Sequence, residues 1–158
     1  MYARLSRITL DLETLLGHGN DGSVWTSNRK TAVKAIEREH NYTTELECYQ
    51  RFKEHRVTRI QGFSVPELIG FDDDLWIVEM RIVTPPFILD FAKAHLDRPH
   101  EFSEEGREEW EQYSSELFDD KWPDVCSLLR SLRQYGIYYY DAKPANIMFA
   151  KPPEIMGD

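Results

Sequence analysis

The chain has 158 residues, 41% of them hydrophobic and 30% charged, which is the balance of a globular protein with one domain or two small lobes. Its net charge of −9 argues against nucleic acid as a partner, and no apolar run is long enough to predict a membrane span. The two cysteines lie far apart in the sequence and the N-terminal segment does not resemble a signal peptide, so we expect no disulfide framework and a cytoplasmic location.

The first half of the chain predicts an antiparallel sheet with one helix. Residues 12–36 read as three short strands, because glycine-rich and polar turns separate runs that contain β-branched residues. Residues 42–55 have the apolar spacing of a helix, with Thr43 or Thr44 as a possible cap. Residues 63–83 predict two further strands joined by a turn of three consecutive aspartates.

The second half predicts helices. Ser103 is a plausible N-cap for a helix over 103–118. One apolar stripe is expected on this helix, formed by Trp110, Tyr113, Leu117 and Phe118. A second helix is expected after Pro123, with Gly136 at its C-terminal end. A change in composition at 84–86, which includes two prolines, suggests a hinge between the two halves.

The acidic residues are concentrated in one segment. Residues 101–120 contain nine acids and one base, and therefore contribute −8 to the net charge. A solvated helix face explains this pattern, and a docking site for a basic partner is the alternative.

A glycine pattern lies between the first two predicted strands. The segment "GHGNDGSV" matches G-x-G-x-x-G-x-V, with Gly17, Gly19, Gly22 and Val24 at the fixed positions. Glycines let backbone N–H groups approach phosphates closely, because no Cβ interferes. A dinucleotide-binding loop has the same glycine spacing, but it opens a helix, whereas a strand-like segment follows here. On its own, the pattern also fits a simple hairpin.

Lys34 stands inside the apolar run "TAVKAI". A surface lysine on an edge strand is one interpretation, and a lysine that reaches nucleotide phosphates is the other. Such a lysine needs a carboxylate from the next helix, and both Glu45 and Glu47 qualify by position. A capping box with Thr44 would tie Glu47 to the start of the helix, so Glu45 is preferred.

The segment "DAKPANIMF" at 141–149 carries the most specific polar pattern. Asp141 is placed to accept or orient a hydroxyl proton, and Lys143 can neutralise charge on a transferring phosphoryl group. Asn146 offers an amide oxygen to a divalent metal. Because strand-like residues flank it, we expect this trio on a loop between strands, and a polar surface turn is the alternative interpretation.

These features, in this order, resemble the protein-kinase-like family. The glycine pattern, A-V-K, a helix glutamate, a strand ending in "IVEM" and D-x-K-P-x-N together cover residues 12 to about 149. The resemblance implies an α+β fold of the protein-kinase-like kind. It would have an antiparallel N-terminal sheet with one helix over 1–83. A hinge and a small, mostly helical, truncated C-terminal lobe would occupy 84–158.

The resemblance also implies a site for ATP between the lobes. Apolar side chains would enclose the adenine, namely Leu16, Val24, Ala32 and Met148. Val78 would guard the back of the pocket, and the main chain at Glu79 and Arg81 would bond the adenine edge.

The same resemblance assigns roles at the phosphate end of the site. Lys34 would bind phosphates and pair with Glu45. Asp141 would be the catalytic base, with Lys143 beside the γ-phosphate, and Asn146 would bind Mg²⁺.

Three features depart from the family pattern. H-R-D is replaced by Tyr139-Tyr140-Asp141, so regulation by a phosphorylated activation loop is not expected. No D-F-G follows the loop, and Asp158 is the candidate for its metal-binding aspartate, with Glu154 as a weaker substitute. The activation segment and A-P-E are also missing.

The sequence therefore predicts a minimal Ser/Thr protein-kinase-like phosphotransferase that uses ATP and Mg²⁺ with an unidentified protein or small-molecule acceptor. The first alternative is a pseudokinase-like interaction module that docks a partner on its acidic helix. A small-molecule kinase is the second. An exposed apolar surface is also expected where the missing helices would have packed, and a homodimer could bury it.

Overall fold

The structure is a computed structural model that describes residues 3–4 and 10–151. Its strands are, in chain order, β1 (Ala3–Arg4), β2 (Leu12–Gly19), β3 (Gly22–Ser27), β4 (Thr31–Ile36), β5 (Arg59–Ile60), β6 (Phe63–Ser64), β7 (Leu68–Asp72), β8 (Ile77–Arg81), β9 (Phe87–Ile88), β10 (His95–Leu96), β11 (Ile137–Tyr138) and β12 (Ile147–Met148). Its helices are α1 (Glu39–Glu54), α2 (Glu104–Phe118) and α3 (Trp122–Leu132), and short 3₁₀ turns follow α2 and α3. The protein is of the mixed α+β class. In the described part of the chain, no helix has the length and apolar character needed to cross a bilayer.

The largest sheet has six strands in the order β1-β7-β8-β4-β3-β2. All neighbours are antiparallel except β1, which pairs in parallel with β7. Helix α1 packs on this sheet against β4, β7 and β8. The strands and the helix predicted for the first half of the chain are thereby confirmed.

The start of α1 differs from the prediction. The helix begins at Glu39 rather than near residue 42, and its N-cap is Arg38, which makes no capping hydrogen bond through its side chain. The expected threonine cap is wrong, because the Thr43 hydroxyl lies inside the helix and donates to the carbonyl of Glu39 at 3.0 Å. The capping box is wrong for a related reason, since Thr44 is buried in the body of the helix.

The second half of the chain combines α2 and α3 with two small sheets. One sheet pairs β10 with β11, and the other has the order β12-β9-β6-β5. Strands β9 and β12 are antiparallel, with Ile147 opposite Ile88 and Met148 opposite Phe87. This register brings the chain after β9 beside the chain before β12, and the Leu89 N–H donates to the Asn146 carbonyl at 2.8 Å.

Helix α2 buries only part of the predicted stripe: Phe118 is buried and Trp110 packs against the core. Ser103 caps it as expected and accepts a hydrogen bond from the Gly106 N–H at 3.0 Å. Tyr113 and Leu117, however, are 63% and 37% exposed. Ser114 is buried instead, because a narrow face meets α3 and leaves the neighbouring apolar side chains in solvent.

Helix α3 follows the prediction. Its buried face consists of Val125, Leu128, Leu129 and Leu132. Gly136 has φ of 69°, a left-handed conformation, and closes the 3₁₀ turn that follows the helix.

Aromatic side chains join the sheet to the helical half. Phe91, directly after Asp90, makes edge contacts with Tyr49 and Phe52 of α1 and with Tyr139, at centroid distances of 5.5, 5.3 and 5.4 Å. All four rings are buried. The polar groups before and after these rings are thus attached to one core.

The exposed large apolar residues lie mainly at two places. They are Leu12, Leu15 and Leu16 on β2, Tyr113 and Leu117 on α2, and Leu75 and Ile82 in connections.

Candidate active site

A cavity of about 630 Å³ lies between the six-stranded sheet and the loop at 141–146. Its wall combines the β2–β3 turn, β4, α1, the end of β8, the chain after β9, and the loop itself. One end is apolar, with Val24, Ala32 and Met80 among its lining residues, and the other carries lysines and carboxylates.

The glycine turn covers the polar end. Here β2 and β3 form a hairpin whose tip is Asn20-Asp21, with Gly19 paired to Gly22. Gly22 has φ of 144°, and a Cβ at this position would overlap the carbonyl oxygen of Ala35 in the neighbouring strand. Gly17 and Gly19 have no atom within 4 Å of an added Cβ, so nothing in the protein itself requires glycine there.

Lys34 forms a buried ion pair beneath this turn. Its Nζ lies 2.6 Å from Glu45 Oε2 and 3.2 Å from Asp90 Oδ1, and the Lys34 and Glu45 side chains are 8% and 1% exposed. Burial alone would lower the pKa of Lys34, but the two carboxylates outweigh it and the pKa is raised, so the lysine stays charged. Of the two acids considered for this lysine, Glu45 is the one in contact, whereas Glu47 bonds Arg51.

Glu45 has an unusual feature. Its second oxygen, Oε1, is buried and has no hydrogen-bond partner among the described residues. A buried acceptor without a partner is costly, and Glu45 lines the cavity, so a polar ligand or water at this end would satisfy it.

The loop at 141–146 is tied to itself by Asn146. The side-chain amide of the buried Asn146 donates to the carbonyl oxygen of Asp141 at 2.9 Å and to its Oδ2 at 3.1 Å. Lys143 Nζ lies 3.7 Å from Asp141 Oδ1. Burial raises the pKa of the Asp141 carboxyl above its usual range although Lys143 opposes the shift.

The two tyrosines before Asp141 hold the loop in place. The buried Tyr139 donates its hydroxyl to the Leu89 carbonyl at 2.9 Å. The carbonyl of Tyr140 accepts a hydrogen bond from Trp110 Nε1 of α2 at 2.8 Å. Hydrogen bonds through the Tyr139 hydroxyl and the Tyr140 carbonyl therefore position the loop.

Asp90 is a site residue that the sequence analysis missed. Its carboxylate joins those of Asp21 and Asp141, and the three offer oxygens within 4.8 Å of one another. The available signal was the string Asp90-Phe91 after an apolar strand, as in D-F-G with alanine as third residue. Asp90 precedes the Asp141 loop in the chain, whereas the family pattern places the metal-binding aspartate after that loop.

Each of the three aspartates contacts a different lysine. Lys93 Nζ is 3.4 Å from Asp21 Oδ2, Lys34 contacts Asp90, and Lys143 contacts Asp141. Positive and negative side chains therefore alternate at one end of the cavity, so this end can bind both anions and cations.

The remaining predicted residues fall into two groups. Those in the cavity wall are Leu16, Gly17, Gly19, Gly22, Val24, Ala32, Lys34, Glu45, Arg81, Lys143 and Asn146. Outside the wall are Val78, Glu79 and Met148, and also Asp141, whose carboxylate nevertheless lies beside Asp90. Asp158 and Glu154 lie outside the described residues.

The stretch predicted to bond adenine is part of the sheet. Glu79 pairs with Val33 on β4 and Gly70 on β7, and its buried carboxylate accepts hydrogen bonds from Thr31 and Arg29. The Arg81 N–H donates to the carbonyl of Glu67 at 2.9 Å. The chain that borders the cavity here is 80–83.

The fold and the cavity define a mixed α+β protein with a cleft that is apolar at one end and densely charged at the other. Neither the models of known protein families nor the curated proteins give a match to this chain.

Proposed function

We propose that the protein is a phosphotransferase of protein-kinase-like architecture that binds ATP with Mg²⁺ in this cleft. One observation carries the proposal: five separate segments, spread from residue 17 to residue 146, contribute to a single cleft. They are the glycine turn, Lys34, Glu45, the chain at Asp90, and the loop at 141–146. A surface turn or a scaffold has no need for this convergence.

The two ends of the cleft suit the two ends of a nucleotide. Val24, Ala32 and Met80 offer the apolar surface on which a flat base packs. Lys34 lies at the other end, where the buried Glu45 fixes its position and a polyphosphate could add a further charge-assisted contact. The open space at Gly17 and Gly19 leaves room for phosphates below the turn.

The residues present fit a magnesium ion. Asp90 would supply a carboxylate, and Asn146, which lines the same cavity, would supply an amide oxygen; both are hard oxygen ligands of the kind that Mg²⁺ prefers. Three carboxylates so close together repel one another, which favours a cation between them. The bound ion would neutralise charge on the phosphates.

Asp141 and Lys143 would act on the acceptor. A carboxylate whose pKa is raised is a better proton acceptor, so Asp141 suits the hydroxyl group that attacks the phosphoryl group. Lys143, 47% exposed at the edge of the cleft, would stabilise the charge on the group in transfer.

The experiment is release of ADP from Mg-ATP with a panel of hydroxyl acceptors, including unstructured proteins, serine and threonine peptides, and small amino alcohols. We expect Asp141→Asn to lose turnover by at least about 10²-fold while it keeps Mg-ATP affinity and the wild-type melting temperature. Lys151→Met, an exposed lysine outside the cleft, serves as control. Turnover in Asp141→Asn equal to that of the wild type would show that Asp141 is not the base.

A second variant tests the metal ligand separately. Asp90→Asn should weaken nucleotide binding in the presence of Mg²⁺ and leave binding in EDTA unchanged or tighter, because the substitution removes a negative charge beside the phosphates. An equal loss of nucleotide affinity in both buffers would mean that Asp90 has a structural role and does not bind the metal ion.

An interaction module is the second candidate, and the surface of α2 favours it. Tyr113 and Leu117 are exposed on this helix in the middle of the acidic segment 101–120. Apolar side chains ringed by like charges suit a basic, amphipathic partner. Charge reversal at Glu108 and Glu109 should weaken such a complex in pull-down experiments, and an unchanged complex would exclude this face.

A further inference from the structure

Lys93 and Asp21 form an ion pair that the proposed function does not use. Asp21 is the tip of the glycine turn, and Lys93 is three residues beyond Asp90, so the contact of 3.4 Å joins the turn to the floor of the cleft. Both residues line the cavity. The pair therefore lies at the end of the cleft where phosphates would be held.

The surroundings of the two partners differ. Asp21 is 12% exposed, and its other oxygen accepts a hydrogen bond at 3.2 Å from the side chain of Asn41, which is buried at the start of α1. Lys93 is 48% exposed, and Asp21 is its only ion-pair partner among the described residues. The aspartate is anchored, whereas the lysine is free to exchange partners.

Lys93 also contrasts with Lys34. The Lys34 pair with Glu45 is 2.6 Å long and almost fully buried, so a ligand would add a contact to Lys34 without removing Glu45. The Lys93 pair is longer and open to solvent, and exposed pairs of this kind contribute little to stability. A polyphosphate carries several charges and would displace a single carboxylate from Lys93.

We propose that Lys93 is a phosphate-binding residue of the cleft, and that Asp21 competes with the ligand for it. When the cleft is empty, Asp21 pairs with Lys93 and holds the glycine turn over the phosphate end. When a polyphosphate binds, Lys93 contacts the phosphate and no longer holds the glycine turn through Asp21. This proposal rests on the proposed function for the identity of the ligand as a nucleotide.

Repulsion between carboxylates supports the loss of contact between Lys93 and Asp21. The Asp21 carboxylate lies within 4.8 Å of the carboxylates of Asp90 and Asp141. Once Lys93 turns to a phosphate, Asp21 loses the ion pair that offsets its repulsion from these two groups, and the incoming phosphates add to that repulsion. The ligand therefore weakens the link between the tip of the turn and the floor of the cleft, while the hydrogen bond from Asn41 still ties Asp21 to α1.

The test is a double-mutant cycle on binding of inorganic tripolyphosphate, ATP and adenosine, measured by calorimetry in EDTA. Lys93→Met should weaken the two polyphosphates about tenfold and leave adenosine unchanged. Asp21→Asn should tighten the polyphosphates about threefold, because the competitor is removed. In the Lys93→Met background, Asp21→Asn should give a smaller gain, since the two residues act through one contact.

Matched controls are Lys151→Met and Asp120→Asn, which change the same charges at exposed positions outside the cleft. They separate a local effect from a change in net charge. Melting temperatures of all variants establish that each one folds.

Three outcomes overturn the proposal. The first two are unchanged polyphosphate affinity in Lys93→Met and strictly additive effects of the two substitutions. The third, from a repeat of the ATP titration with Mg²⁺ in place of EDTA, is weaker binding in Asp21→Asn, which would make Asp21 a metal ligand. If ATP binds and one of these three outcomes occurs, the proposed nucleotide site is retained, and the proposed competition between Asp21 and the ligand for Lys93 is rejected. If tripolyphosphate shows the expected cycle but adenosine does not bind, the competition stands and the nucleotide assignment falls. If the wild type binds none of the three probes, both proposals fail.

Discussion

Protonation of Asp141 gives a test of the site at the level of one residue. Burial raises the pKa of this carboxyl above 3.8, and the charge of Asp90 adds to the effect, whereas Lys143 opposes it. A base must be deprotonated, so activity should fall as the pH drops through this raised pKa. The acid limb of kcat/KM for ADP release is therefore expected above pH 3.8, the ordinary value for aspartate.

Lys143→Met provides the matched variant for this prediction. It removes the nearest positive charge, at 3.7 Å, so the pKa of Asp141 should rise further and the acid limb should move to higher pH. If the acid limb is the same in both proteins, the titrating group is not Asp141.

The glycine turn provides a second prediction, because two of its glycines differ in what surrounds them. Gly22→Ala places a Cβ against the main chain of Ala35 at φ of 144° and should cost about 1–3 kcal/mol of the free energy of unfolding. Gly19→Ala meets no protein atom and should leave stability nearly unchanged. Urea unfolding measures both. Equal stability of the two variants would contradict the packing described for Gly22.

Single residues were predictable where local pattern and chemistry agree. Lys34 stands out because a charged residue interrupts an apolar strand. The choice between Glu45 and Glu47 depends on which side of α1 meets the sheet, and local sequence does not determine that side. The helix also begins earlier than expected. Asp90 needs long-range information, since only the pairing of β9 with β12 brings it to the loop.

At the scale of elements, Arg51 of α1 makes the main polar connection to the helical half. Its guanidinium donates to both carboxylate oxygens of Asp97 at 2.8 and 2.9 Å and to the Tyr135 carbonyl at 2.9 Å. A Cβ added to Gly136 would come within 2.5 Å of this guanidinium. The contact therefore fixes α1, and with it Glu45, relative to the second half.

Arg51→Met should remove these bonds, leave the Tyr135 carbonyl without its partner, and cost about 1–2 kcal/mol of the free energy of unfolding. Hydrogen exchange in α1 should become faster in the same variant. Asp97→Asn should have a smaller effect, because Asp97 is exposed and water replaces the lost contact. A larger effect for Asp97→Asn than for Arg51→Met would contradict this account of the interface.

Elements were predictable in type, less so in their limits and faces. Turn residues and apolar spacing were enough for the strands of the first half and for α3. The start of α1 was misplaced because packing on the sheet, rather than a side-chain cap, decides where that helix begins. Apolar spacing in α2 overstated its buried face, since Tyr113 and Leu117 have no element to cover them among the described residues.

At the scale of the whole molecule, the order of the motifs along the chain does not determine which groups meet in the cleft. The family pattern places a metal-binding aspartate after the loop asparagine, and Asp158 was chosen on that basis. Asp158 lies outside the described residues and stays a prediction. Asp90, which precedes the loop, is brought to the same end of the cleft as Asp141 by the antiparallel pairing of β9 with β12. Spatial proximity in a sheet does not depend on which strand comes first.

A ligand in this cleft would contact both halves of the molecule, so binding should stabilise the whole fold. At a concentration about 100 times its dissociation constant, a ligand adds about 2.7 kcal/mol to the free energy of unfolding. For a chain of this size we expect Mg-ATP to raise the melting temperature by about 5–10 °C. The comparison is a thermal melt with ATP, with and without Mg²⁺, for the wild type, Lys34→Ala and Asp90→Asn.

The ligand-induced shifts in melting temperature of the three proteins should differ in a pattern that a change in intrinsic stability alone cannot produce. Lys34→Ala should lose most of the shift in both buffers, since Lys34 faces the phosphates whether or not a metal is bound. Asp90→Asn should keep the shift with ATP alone and lose only the increment that Mg²⁺ adds. A wild type that shows no shift at saturating ATP would refute the nucleotide site, and the exposed surface of α2 would then be the part of the molecule to test for a partner.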